Sequence, residues 1–211
     1  MHRSVWLMIV VGVMLVSACA DPAADKTKAV TGDAAKVASP ATAAQGQRYV
    51  ITPQNSKVEF TGSKVTGKHD GAFQDFSGQI DYAGNPEQSR VNITMKTDSL
   101  TTDTPDLTKH LKTPDFFDVA KFPEASFVST SIKPGGEKGA SHTVTGNLTL
   151  HGVTKAVTFP ATISVTPDVA TVDSTFSINR KDFGINYAGQ ADNLIRDDVV
   201  LKLTIKANKA S

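Results

Sequence analysis

The chain has 211 residues, with 22 basic and 21 acidic side chains, five histidines and one cysteine. A formal net charge of +1, with both signs interspersed and no basic run, excludes nucleic acid as a partner class. The length favours one domain, and a lone cysteine permits no internal disulfide, so the fold must be held by its core.

The first residues do not belong to that core. His2 and Arg3 form a short basic head, and Val5 to Val16 an apolar run too short to span a bilayer comfortably. Val16-Ser17-Ala18-Cys19 ends it with small residues, as a secretory signal does. The cysteine there resembles a bacterial lipobox, which implies cleavage after residue 18 and acylation of Cys19. An ordinary signal peptide cut at a nearby alanine is the alternative. Cleavage also removes Trp6, the only tryptophan. Ala20 follows the cysteine where aspartate would favour inner-membrane retention, so the expected place is the periplasmic side of the outer membrane.

Residues 19–47 hold Ala, Lys, Asp, Thr, Pro and Gly, with isolated valines at 30 and 37. No strand or amphipathic pattern shows, and such composition buries too little apolar area to offset ordering entropy. We expect an acylated, flexible tether with a reach of roughly 30 Å.

A domain over 48–211 follows. Val58 and Phe60 alternate with Lys57, Glu59 and Thr61, and Val91, Ile93 and Met95 with Asn92, Thr94 and Lys96. Val144, Leu148 and Leu150 share a face with Gly146 between them, as do Val157 with Phe159 and Phe176 with Ile178. Val199, Leu201, Leu203 and Ile205 alternate at the end. A period of two means strands with one dry face, and Gly/Pro/Asn/Asp turns separate them. One stretch breaks the pattern. Thr104-Pro105-Asp106 and Thr113-Pro114-Asp115 each offer a capping threonine, a proline for the first helical position and an acid for the positive helix end. They predict helical pieces over roughly 105–112 and 114–119. About eight strands suit a sandwich or a closed barrel, and one-sided alternation favours an eight-stranded antiparallel barrel with a helical cap around 104–120.

HLKTPDFFDVAKFPEASFVSTSI, VTGNLTLHGVTKAVTF and FSINRKDFGI resemble the YceI-like family of bacterial envelope proteins, and YVITPQNSKVEF and GAFQDFSGQIDY resemble its opening strands. The resemblance covers about residues 48–207. It implies an all-β, extended lipocalin-like barrel that binds long apolar molecules, polyisoprenoids and their quinone or phosphate derivatives among them. On that basis Phe60, Phe76, Ile93, Leu107, Leu111, Phe116, Phe117, Phe122, Phe127, Leu148, Phe159 and Phe176 are the expected pocket lining, with Leu107 and Leu111 closing a lid. The alternative is that these residues only fill a packed core, as phenylalanine commonly does, and that the domain is a membrane-attached structural or interaction module.

Arg180 follows the inward parity of Phe176 and Ile178, so it either holds a ligand head group or pairs with Asp115, Asp118 or Asp182. His110, on the lid, is a candidate for the same head group. His69, His110 and His151 lie 41 residues apart, a spacing that fits no compact metal motif. No metal site is expected. Without a Gly-x-Ser-x-Gly elbow or an assembled nucleophile, neither is an enzyme. No separate cofactor is expected: an isoprenoid lipid or quinone would be the bound molecule, the acyl group would hold the membrane, and the chain would be a monomer or a homodimer.

Overall fold

The computed structural model describes residues 20–36, 46–191 and 193–210. Its strands are β1 (Thr27–Lys28), β2 (Val30–Asp33), β3 (Gln47–Ile51), β4 (Lys57–Lys64), β5 (Gly67–Phe73), β6 (Phe76–Tyr82), β7 (Arg90–Lys96) and β8 (Leu100–Thr102). After helix α1 (Pro105–Leu111) come β9 (Glu124–Pro134), β10 (His142–Leu150), β11 (Val153–Val165), β12 (Val169–Asn179), the short β13 (Gly189–Gln190) and β14 (Asn193–Leu194), and β15 (Asp198–Lys209). Three pairs of these are halves of single bent strands. Ile51 lies opposite Gly78, Val58 opposite Phe73 and Lys64 opposite Gly67, so β3–β4 and β5–β6 run as one long hairpin. β7–β8 follows the same course beside β6 and β5. Each bent pair counted once, eight long antiparallel strands each pair with the next in sequence. β15 closes the ring by pairing with β4 at Val200–Thr204 and with β3 at Asn208 and Lys209. The closed eight-stranded antiparallel barrel expected from the alternation is what forms.

Period-two burial builds the wall. Val58, Phe60, Ile93, Met95, Val157, Phe159, Phe176 and Ile178 are buried, while their sequence neighbours reach towards solvent, except Ser177, which is 1% exposed. Two inward glycines shape the lumen. A Cβ at Gly71 would lie 2.4 Å from the Phe60 ring, and one at Gly146 would lie 2.3 Å from the Phe127 ring. Each ring therefore lies back against the neighbouring strand instead of across the barrel axis. One end of the barrel is plugged: Tyr49, 1% exposed, packs edge-on to Tyr82 at 6.2 Å and donates its hydroxyl to the Thr166 carbonyl at 2.6 Å. α1 and the loop to β9 cover the other end.

Two expectations about local structure need correction. Helix α1 forms, but Thr104 makes no side-chain cap; its hydroxyl turns to Asp103 at 3.0 Å. The second piece, 114–119, is a string of turns that stops at Asp118 with φ 44°. Phe116 packs on His110 and Tyr187 while Phe117 packs on Phe60 and Phe73. Both consecutive rings thus enter the barrel from these turns, and the left-handed backbone at Asp118 ends any helical course.

The third correction concerns the tether. Residues 20–36 carry β1 and β2, which join the barrel wall. The ladder between β11 and β12 extends only from Val165↔Ala170 to Thr162↔Asp173. Beyond it the two strands part. β1 pairs in parallel with Phe176 and Ser177 of β12, and β2 pairs antiparallel with Lys155–Thr158 of β11. Backbone pairing and two buried alanines, Ala23 and Ala29, order this arm, so no hydrophobic alternation was there to announce it.

Candidate functional site

The half of the barrel under α1 encloses a cavity of about 190 Å³. Every wall contributes. β4 supplies Val58 and Phe60, β7 Ile93 and Met95, β10 Leu148 and Leu150, β11 Val157 and Phe159, β12 Phe176 and Ile178, and β15 Val199, Leu201 and Leu203. Leu107 and Leu111 reach it from α1, and Phe116 and Phe117 from the following turns. Lys64, His69 and Thr102 mark its mouth, and the lining presents almost no polar surface.

Ten of the twelve candidate lining residues border this cavity: Phe60, Ile93, Leu107, Leu111, Phe116, Phe117, Phe127, Leu148, Phe159 and Phe176. Phe76 and Phe122 do not. Phe76 is buried in the core towards the plugged end. Phe122 packs edge-on to His151 at 4.7 Å and fills the space that a side chain at Gly152 would take, where φ is +74°. Residues outside the original set border it too. Val58, Met95, Val157 and Leu203 share strand parity with those named and were readable by that rule. Ile185 and Ile195 come from the irregular segment between β12 and β15, where no period applies.

Arg180 points inward but is occupied. Its guanidinium donates from Nη1 to the Ile185 carbonyl at 2.7 Å, from Nε to that of Arg196 at 3.1 Å and from Nη2 to that of Ile195 at 3.4 Å. Nη2 also meets Asp197 at 3.4 Å. Asp115, Asp118 and Asp182 are not its partners. The chain between Arg180 and Asp197 loops back on itself, which brings that carboxylate in from a position no strand parity predicts. Burial lowers the Arg180 pKa and Asp197 raises it in part. The side chain therefore ties down one wall of the cavity and has no free fork for a head group. His110 is similarly engaged. Its Nε2 lies 2.8 Å from Asp115, and its ring stands edge-on to Phe116 at 5.0 Å and to Tyr187 at 5.2 Å.

At the mouth, His69 Nδ1 lies 2.9 Å from Asp103. Burial pushes the Asp103 carboxyl up, but hydrogen bonds from His69, Thr104 and the Asp70 amide outweigh it and hold the group below its ordinary value. Among the described residues no group of three or more His, Cys, Asp or Glu could hold a metal. No described helix is long and apolar enough to cross a membrane. Cys19 lies outside the described residues.

Comparison with known proteins places this geometry. The model of the YceI-like domain matches residues 49–207. UPF0312 proteins of Pseudomonas putida (strain W619) and Pseudomonas syringae pv. tomato are 41% and 40% identical over 136 and 139 residues. These matches span 61% and 63% of this chain and 70% and 71% of theirs. Burkholderia cenocepacia BcnA superposes with a TM-score of 0.65 at 26% identity, covering 74% of this chain and 99% of its own. The Campylobacter jejuni YCEI protein gives 0.59 at 25% identity, over 67% of this chain and 85% of its own. A polyisoprenoid-binding domain from Saccharophagus degradans gives 0.62 over 79% of this chain and all of its own; at 16% identity it attests the shared fold.

Proposed function

This chain belongs to the YceI-like family, and from that membership we propose that its barrel holds one long apolar lipid, a polyisoprenoid or an isoprenoid quinone. The observation that carries the reading is the cavity itself, walled by Phe, Leu, Ile and Val from eight strands and offering almost no polar atom. The solved Saccharophagus domain of this fold is described as polyisoprenoid-binding, which agrees. The physics is area: an apolar chain that leaves about 350 Å² of its surface in the lumen gains roughly 9 kcal/mol before ordering costs. With Arg180 and His110 engaged, any polar head group sits outside the lumen, towards Lys64 and His69. Binding alone is the role. Among the described residues no assembled reacting group supports the catalytic alternative, and the packed-core alternative is disfavoured by the open lumen.

The reading extends to the cell envelope. Acylation of Cys19 would attach the protein to a membrane facing the periplasm, the outer membrane by the residue at position 20. There it would carry, store or shield the lipid.

Protein exported by its native route, extracted with organic solvent and examined by mass spectrometry, is expected to release one isoprenoid lipid per chain. Protein that carries none, and takes none up from vesicles, would overturn the proposal.

A further inference from the structure

The barrel wall has a seam, and the seam runs alongside the cavity. β11 and β12 pair only below Thr162 and Asp173; above that level the arm residues 27–33 stand between them. Val157 and Phe159 on one side of the seam and Phe176 and Ile178 on the other all border the cavity. The Phe159 and Phe176 rings stack across its lower corner, 4.2 Å apart and 6° from parallel. The arm is thus a ninth strand inserted in the half of the barrel that is hollow, and it widens that half.

The arm is also the weakest part of the wall. Its inward anchor is a single alanine, Ala29, while Val30 is 70% exposed. What holds it otherwise is polar and exchangeable with water. Lys28 pairs with Asp198 at 2.8 Å, Thr31 donates to Asp182 at 2.8 Å, and Asp21 pairs with Arg196 at 3.2 Å. The Asn147 side-chain amide clasps both backbone polar groups of Ala35. A segment with so little buried apolar surface opens at far lower cost than the strands around it. Withdrawing one strand leaves its neighbours roughly 9–10 Å apart, twice the interstrand spacing, which is wide enough for a hydrocarbon chain.

We propose that the seam between β11 and β12 is a lateral portal into the cavity and that residues 27–33 are the strap that closes it. The inference rests on the cavity being a lipid site. A long chain then enters sideways, along its whole length, and need not thread end-on past Leu107 and Leu111.

The test locks the strap. Val30 faces Thr158 in antiparallel register, and such pairs have Cα separations that suit a disulfide. Val30→Cys with Thr158→Cys, in protein carrying Cys19→Ser, leaves the introduced cysteines as the only thiols. A control joins Thr149→Cys to Thr154→Cys, opposed on β10 and β11 away from the seam. The probe is all-trans-retinol, a fluorescent isoprenoid alcohol, supplied from phosphatidylcholine vesicles. Oxidation of the strap pair is expected to slow uptake and release at least about tenfold while the equilibrium affinity changes less than about twofold, as for a gate. Reduction should restore the rates, and the control disulfide should leave them unchanged. Equal rates in locked and reduced protein would overturn the portal and leave the α1 mouth as the route. Absence of retinol binding in the Cys19→Ser parent would overturn the lipid site and the portal with it. If the strap pair does not fold, Lys28→Ala with Thr31→Val loosens the strap, and uptake must accelerate, by about threefold or more, for the portal to stand.

Discussion

At the scale of single residues, the molecule separates side chains that look alike in sequence. Arg180 has inward parity and lies at the cavity, yet its donors are spent on three carbonyls and Asp197. Arg180→Met should cost about 3 kcal/mol in chemical denaturation, because it orphans buried acceptors. If the guanidinium instead served a head group, stability would hold and only binding would fall. Tyr49 makes a second case. Burial raises its pKa, so its contribution is complete below the unfolded value near 10 and fades as pH rises through the folded value. The stability gap between the parent and Tyr49→Phe should be about 1 kcal/mol at pH 7 and should narrow in denaturation at pH 11. Parity in the sequence told which side of a strand each residue takes. It could not tell that Asp197, 17 positions on, returns to meet Arg180, because that contact depends on an irregular loop with no period.

At the scale of elements, legibility followed the source of order. Strands ordered by a dry face were readable, and so was α1, where proline and acid mark the start. The arm was not, since backbone pairing carries it and only Ala29 enters the core. The capping assignment failed for a related reason. Thr108, not Thr104, holds the start of α1 to the barrel, by accepting from the Thr102 amide at 2.9 Å and meeting its hydroxyl at 2.8 Å. Thr108→Val is therefore expected to destabilise by about 1 kcal/mol and Thr104→Val by less than about 0.5. Thermal unfolding of the two variants side by side decides this, and equal losses would return the cap to Thr104.

At the scale of the whole molecule, Phe117 and Gly62 are the positions that distinguish a hollow barrel from a packed one. Phe116 discriminates poorly, since it is 6% exposed and wedged between His110 and Tyr187 in either case. Phe117 has looser neighbours, Phe60 at 6.4 Å and Phe73 at 5.9 Å. In a packed core Phe117→Ala would cost about 3–5 kcal/mol; bordering a lumen it should cost under about 2 kcal/mol and mainly weaken lipid uptake. A Cβ at Gly62, beside the mouth, meets nothing within 4 Å. Gly62→Leu should thus fill part of the lumen and weaken retinol affinity while stability stays within about 1 kcal/mol, as measured by retinol titration and denaturation on one preparation. The closed ring was readable from one-sided alternation, whereas the hollow was not. It arises from glycines that let rings lie back, and their cross-strand partners are known only once register is.

The ion pair between Asp21 and Arg196 also gives the molecule a compass. It pins the beginning of the described chain beside the mouth, while Ala210 donates its amide to Arg48 at the plugged pole. The two ends of the described chain therefore lie at opposite poles of the barrel. A surface that grips the protein ahead of residue 20 faces the opening, and one that grips it after β15 faces the closed floor. Immobilised by its tail on a sensor chip, the protein should present its lumen to solution; immobilised by its head, it should turn that lumen towards the support.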